Sequence, residues 1–434
     1  MEASVASVPF QIKTVYSRPG MALRWAIWLL LLGYALLEFY PVNYFVNTVV
    51  FLFVNAMALV LVLSFPGIKV ITRHNYEPLI YMLAWLAYSL LGYIWAQDRM
   101  LALDFSFLIY RYLIAFLVFD ALCRDNRVLE RSHLILLGFL GLYLLTAYWE
   151  MATFSHLPSS KLYGIKHFTP TGPFYNQNNL AAFMLLLLPF ALFLPKLHAG
   201  KLTKTLSAIM MASVMIIITV QGARIAMLAA GGVIGLAFLF FSSTRTKLLS
   251  LLIVLVLGVA ITRFFPVPVR IVSGIARKEI RSFGEEAETV QMSSIKIRMQ
   301  LFRESFDLTA GSAFMGLGGG NFEHYMDTDR EYRTAGIINA HNWLLEIMSN
   351  YGVIILLGFL YLYLRWLYIL YCRVRNSQGR LHYFYLMYFY SLILFLPACA
   401  LPSSIRWNHM IWIYFAVVNA VCHQTPKLLR DSNV

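Results

Sequence analysis

His341 stands in the stretch AHNWLLEIMSNYG, where polar residues give way to a long apolar run. Imidazole accepts a proton near neutral pH, and the positive end of a helix dipole favours its neutral form, so a histidine at a helix start is a candidate general base. The alternative is a polar residue solvated among lipid headgroups. Two arginines carry related chemistry: Arg224 in TVQGARIAMLAA, between two very apolar stretches, and Arg298 in SSIKIRMQLFRESFDL, with Lys296 and Arg303 close by. A guanidinium in apolar surroundings is costly unless paired; snorkelling to the interface is the alternative for Arg224, and a solvated face for the loop cations. A histidine and several cations, with no accompanying carboxylate pair or metal-ligand cluster, suit an anionic substrate of the phosphate type. Arginine's fork matches phosphate oxygens, and preset cations stabilise a departing diphosphate without a metal.

Other motifs carry less. GLGGGN, Gly316 to Asn321, lacks the last glycine of a dinucleotide fingerprint and the Gly-Lys-Ser/Thr of a P-loop. It reads as a flexible turn that lets backbones approach closely. Asp327 and Asp329 form a short acidic pair that could offer oxygen ligands to Mg or Mn; such pairs recur by chance in polar loops, and the expectation is no metal and no cofactor. Asp104 and Arg111 are seven residues apart and share a helix face, as a structural ion pair or a functional one. Glu38 and Glu150 fall near span ends. Cys123, Cys372, Cys399 and Cys422 show no redox or metal spacing and read as small apolar residues.

The elements that must position these groups are membrane helices. Of 434 residues, 60% are apolar and 13% charged, outside the range of soluble domains. Runs of about 20 apolar residues, enough to cross roughly 30 Å of hydrocarbon, recur twelve times, at approximately 21–40, 44–66, 79–96, 101–123, 134–153, 179–195, 205–221, 223–242, 248–265, 343–371, 383–402 and 410–423. The first run follows Lys13 and Arg18 without a small-residue cleavage site and reads as a retained anchor. With the N-terminus inside, the inside segments hold seventeen Lys and Arg and the short outside loops five: Arg99, Lys161, Lys166, Arg224 and Arg406. Both termini are therefore expected in the cytoplasm, and the net charge of +14 is mostly topology, with no nucleic-acid inference.

Two outside segments are long: 154–178, ending HFTPTGPFYNQNN, and 266–342. Length of this kind in a chain of short loops points to function. In the second, VPVRIVSGIARKEIRSFG has the alternation of an interfacial helix. SSIKIRMQLFRESFDL reads as a helix capped by Ser293 or Ser294, with Ile297, Leu301, Phe302 and Ser305 on one face. Asn339 can cap the helix beginning near His341. The organisation expected is 1–265 with nine spans, 266–342 as a periplasmic loop domain and 343–434 with three spans and a short tail.

In this order and on this side, the motifs resemble those of the O-antigen ligase family, within the O-antigen ligase and polymerase-like membrane glycosyltransferases. PFYNQNNLAAF resembles the Asn-rich opening of a span, GARIA the Ser-Arg-small motif, IRMQLF the loop arginine, GLGGGNF the Gly-rich turn, and AHNWLLEIMSNYGVIILL the His-Asn helix start followed by Gly. The ordered set covers about residues 170–360. Ala223, Ile225 and Phe302 depart from the family pattern. The resemblance implies an all-α polytopic, GT-C-like fold in a bacterial inner membrane with its site on the periplasmic face. It implies metal-independent, inverting transfer of a polysaccharide from undecaprenyl diphosphate to a sugar hydroxyl of lipid A-core, in lipopolysaccharide biosynthesis. His341 would then be the general base, Arg224 and Arg298 the ligands of the donor diphosphate, and Tyr175, Asn178, Arg303 and Asn342 further substrate contacts. A polymerase or a protein O-oligosaccharyltransferase of the same group would share the donor chemistry. The few residues after the last run speak against the protein-glycosylating kind. A lipid-linked glycan transporter would also have twelve spans, but is expected to show repeated halves and broken helices at the midplane.

Overall fold

The computed structural model describes residues 75–241, 294–329, 334, 336–402, 404 and 410–426. Among them all regular structure is helical. The helices are α1 (Tyr76–Leu91, continued by a tighter turn at Gly92–Ile94), α2 (Arg99–Leu122), α3 (Asn126–Thr153), α4 (Gln177–Leu197), α5 (Lys201–Val220), α6 (Arg224–Phe241), α7 (Ser294–Gly311), α8 (Asn321–Thr328), α9 (Trp343–Arg375), α10 (Gly379–Cys399) and α11 (Met410–His423). Seven of them, α1 to α5, α9 and α10, are long and apolar enough to cross a membrane; α6 and α11 supply shorter apolar stretches. The chain is thus a helical polytopic membrane protein. The runs at 21–40, 44–66 and 248–265, and the expected interfacial helix at 267–284, lie outside the described residues.

The sequence marks the helix starts. Asp98 accepts from Leu101 N, Asp125 from Arg127 N, and Asn176 from both Asn178 N and Asn179 N, each satisfying amides that the first turn leaves without partners. Polar flanks that hydropathy alone leaves out of a span extend its helix: α3 starts at Asn126, eight residues before the expected 134. α4 is the axis of the bundle, buried along nearly its whole length. It runs antiparallel to α10, where Ser391 Oγ donates to the Leu186 carbonyl at 2.6 Å. The start of α4 therefore lies beside the end of α10. Short turns make α4, α5 and α6 an antiparallel series, so α6 starts at that same end.

At the opposite end, buried Asp120 of α2 accepts from Asn75 Nδ2 (3.1 Å), Arg124 (2.9 Å) and Asn419 Nδ2 (2.8 Å), tying α1, α2 and α11 together. A carboxylate buried in this way persists only with such partners. Asp104 and Arg111, the pair singled out in the sequence, are each only half-buried; the buried acid of α2 is Asp120. The four cysteines are free, and all but Cys372 are buried.

The expected single span from 343 to 371 is instead a broken helix. Gly352 has φ 79° and ψ 175°. Trp343 and Phe359 are sixteen residues apart, about 24 Å along an unbroken helix at 1.5 Å per residue, yet their ring centroids lie 6.3 Å apart. Residues 343–351 therefore bend sharply back against 353–375. A break leaves backbone carbonyls unpaired where no water replaces them, and the glycine-rich segment satisfies them: Leu317 N donates to Ser349 O (2.8 Å), Gly318 N to Asn350 O (2.9 Å), and Val353 N returns a bond to Phe314 O (3.1 Å). The close approach expected of GLGGGN is borne out, but the turn is packed and not loose. A Cβ on Gly316 would lie 2.5 Å from Gly352 N, and one on Gly320 2.6 Å from the Phe105 ring. The same turn is bonded to α1 and α2, with Tyr88 OH donating to Met315 O, Trp95 Nε1 to Gly316 O, and Asn321 exchanging two bonds with the Asp98 backbone.

Candidate functional site

A small apolar cluster brings two sequence-distant segments together. Leu301, Phe322, Met326 and Ala340 are buried against one another, with Ile297, Leu317, Ile338 and Leu345 packed around them. Ile297 and Leu301 flank Arg298 on α7, and Ile338 and Ala340 precede His341, so burial of this face delivers the arginine and the histidine to one place. Phe302, expected on the packed face, is about half exposed, whereas Leu301 and Ser305, expected there with it, are buried.

Arg298 donates to the Ala400 carbonyl at 3.0 Å, just past the end of α10. Burial holds its pKa below the usual arginine range. The Leu401 backbone acts on the His341 ring in the direction that raises its pKa, against the larger effects that lower it. Its Nδ1 is buried with no partner among the described residues. A neutral imidazole has one ring nitrogen without hydrogen, whose lone pair can take a proton. The His341 pKa is pushed from 6.5 down to about 4, first by burial and then by the positive charges of Arg298 and Lys161. The expectation of a neutral imidazole thus finds support in desolvation and two cations, causes other than the helix dipole it is based on.

Backbone geometry adds to this arrangement. His341 has φ 49°, in the left-handed region that few residues other than glycine occupy. Strain of this kind persists only where the surroundings enforce it. Asn342 enforces part of it: its side chain accepts from Leu344 N (2.9 Å) and Leu345 N (3.3 Å), capping 343–351. Asn342 is therefore the cap, a role expected of Asn339; Asn339 Nδ2 donates instead to Glu323 of α8. Ser404 Oγ donates to buried Glu346 Oε1 at 2.7 Å, fastening the segment that supplies the Ala400 and Leu401 carbonyls to the same short helix.

The remaining candidates are placed as follows. Arg224 is the first residue of α6, exposed, at the end of the bundle where α10 ends and Ala400 begins. Tyr175 is exposed and its carbonyl accepts from Lys161 N at 2.9 Å. Asn178 lies half-buried in the first turn of α4. Arg303 is exposed on α7, five residues past Arg298 and therefore on a different face of the helix. The structure thus joins His341 to Arg298 and puts Arg224 at the same end. Asp327 and Asp329 are exposed on and just beyond α8, and no group of three metal-ligating side chains occurs among the described residues.

Sequence reasoning missed Lys161, counted only as one of five outside cations, and Glu346, hidden in an apolar run. It noticed Glu150 without its partners. Glu150 and His156 are fully buried, with His156 Nδ1 at 3.2 Å from Glu150 Oε1. The glutamate also accepts from Thr171 N and Gly172 N, each at 2.7 Å.

Residues 206–360 match a family model described as O-antigen ligase. The match runs from α5 into α9 and takes in Arg224, Arg298, the glycine-rich turn, His341 and the Gly352 break. A curated protein, the teichuronic acid biosynthesis protein TuaE of Bacillus subtilis (strain 168), is 24% identical over 357 residues, covering 79% of this chain and 70% of the relative.

Proposed function

With an O-antigen ligase domain matched over residues 206–360 as the premise, we propose that this protein is a glycosyltransferase that moves polysaccharide from undecaprenyl diphosphate to a sugar hydroxyl of lipid A-core. The observation that carries the reading is the buried imidazole of His341, with burial and the charge of Arg298 acting together to favour its neutral form. Nδ1 of His341 takes the acceptor hydroxyl proton as the hydroxyl oxygen attacks the anomeric carbon. The bond from that carbon to the donor diphosphate breaks, with inversion, and the diphosphate leaves against Arg224 and Arg298. Arginine serves here because its fork meets two phosphate oxygens at once and stays charged despite partial burial. In this reading Tyr175, Asn178 and Arg303 contact the donor or acceptor, and Asn342 acts through its cap on 343–351.

In this reading residues 1–265 and 343–434 form the membrane bundle of twelve spans and 266–342 form the periplasmic loop domain, in the inner membrane, with both termini cytoplasmic. The polyprenyl tail lies among the helices while the diphosphate reaches the cations at their outer ends. A second reading, glycan polymerisation, keeps the same donor chemistry. The name of the Bacillus subtilis relative, which places it in teichuronic acid biosynthesis, favours keeping it. The two are separated by purified protein in liposomes with a lipid-linked glycan donor and lipid A-core, with EDTA present and no energy source. Glycan joined to lipid A-core supports ligation by a metal-independent route. Longer lipid-linked chains mean polymerisation, and no transfer in either form removes the proposal.

A further inference from the structure

Resting on the reading of Arg224 as a diphosphate ligand, we propose that Glu150 is a positioning residue for Arg224, acting through a single peptide group and Gln221. Glu150 sits at the end of α3, and its carboxylate is buried. Oε2 accepts from two successive amides, Thr171 N and Gly172 N, at 2.7 Å each. Oε1 accepts from Thr171 Oγ1 and faces His156 Nδ1, both at 3.2 Å. The far nitrogen of His156 is 3.0 Å from the His167 carbonyl. The segment 154–172 is thereby fixed to α3 at both ends of this loop, and Gly172, at φ 58°, supplies the turn that aims both amides at one oxygen.

The Thr171 amide shares its peptide plane with the Pro170 carbonyl, and that carbonyl accepts from Gln221 Nε2 at 3.0 Å. One peptide is therefore held from both sides, by a carboxylate on its N–H and by an amide on its C=O. Each bond polarises the peptide so as to strengthen the other. Gln221 caps α5, and three residues later Arg224 opens α6. The connection between them is tight: Gly222 N donates to Thr219 O, Ala223 N to Ile218 O, and Arg224 N to Gly222 O, with Gly222 at φ 67°. Holding Gln221 holds the first turn of α6 and the direction in which Arg224 leaves it. Glu150 itself touches no reacting atom in this scheme.

The test uses the purified full chain and undecaprenyl diphosphate, without glycan, as the binding probe. Glu150→Gln keeps the shape but replaces an acceptor oxygen by an N–H2 that cannot receive an amide. It is expected to weaken binding about tenfold, the scale of one charge-assisted hydrogen bond, and to raise donor KM by a similar factor while kcat at saturating donor is kept. Gln221→Met removes the amide and keeps the bulk, and should do the same. The double variant should lose no more than the weaker-binding single variant, because both break one relay. Independent losses that multiply, or a fall in kcat with donor KM unchanged, overturn the proposal. Should Glu150→Gln fail to accumulate in membranes, Gln221→Met decides alone. Arg224→Ala separates the two levels of inference. If it leaves probe binding intact, the diphosphate reading fails and takes this proposal with it. If it weakens binding while Glu150→Gln and Gln221→Met do not, only the positioning role fails.

Discussion

Replacing Gly352 by alanine tests whether the broken helix is what presents His341. The φ 79°, ψ 175° of Gly352 belong to a region open essentially to glycine, and placing an L-residue there costs on the order of 1–3 kcal/mol. Sterics add to it. The new Cβ would lie 2.5 Å from Phe314 O and 2.6 Å from Met315 O. Neither carbonyl can retreat without breaking a bond, since Phe314 O receives Val353 N and Met315 O receives Tyr88 OH; each such bond contributes about 1 kcal/mol. The expected loss is about 3 kcal/mol or more, a large part of the 5–15 kcal/mol typical of folded domains. Thermal unfolding of the purified protein in detergent should show a clearly lower midpoint. Glycan transfer should fall even at temperatures where the chain stays folded, because 343–351 then packs differently beneath His341. Gly235→Ala is the control: in α6 its Cβ meets nothing within 4 Å, and alanine's helix preference stabilises by up to about 1 kcal/mol. A Gly352→Ala protein that melts with the wild type and transfers glycan at the wild-type rate would refute the reasoning.

Three further outcomes follow from the site. His341→Asn tolerates the left-handed backbone at this position but offers no base, so the protein should accumulate normally while transfer falls by about a hundredfold to ten-thousandfold; wild-type transfer would end the catalytic role. The acid limb of kcat/KM should stay flat through pH 6 and bend only toward about 4, because the base works in its neutral form and protonation below that value removes it; a limb near 6.5 would mean an ordinary, solvated histidine. The sign for stability is the same: between 6.5 and about 4 the unfolded chain binds a proton that the folded one refuses, so this residue's contribution falls as pH falls through that window. Arg298→Lys keeps the charge but loses the fork and the reach to the Ala400 carbonyl, and should raise donor KM about tenfold, whereas Arg298→Gln should also move the acid limb upward by removing a cation beside the imidazole, as a pH series on both variants would reveal.

Much of this was legible in the residues themselves. Membrane helices announce themselves because hydrocarbon accepts only long apolar segments, so composition and length are enough to find α1 to α5 and α10. His341, Arg224 and Arg298 stood out because charge and imidazole are rare and costly in such surroundings. Asp98, Asp125 and Asn176 cap helix starts through bonds to amides two or three residues on, a local pattern, although the caps expected from the sequence were Ser293 or Ser294 and Asn339. What the sequence by itself could not decide was anything set by groups far apart in the chain. The break in α9 is invisible in hydropathy, because 343–375 is apolar throughout and Gly352 is an ordinary helix glycine until the Gly316 turn packs against it. Asn342 displaced Asn339 as the cap because Glu323, on another helix, took Asn339. The low pKa of His341 comes from burial and from cations on α7 and on the 154–178 segment, none of them adjacent in sequence, and Glu150 gains its meaning only from amides twenty residues on. Solubility in lipid is a property of each segment and is written locally; a proton's affinity and a side chain's direction are set by whatever surrounds them, and only the folded chain supplies those surroundings.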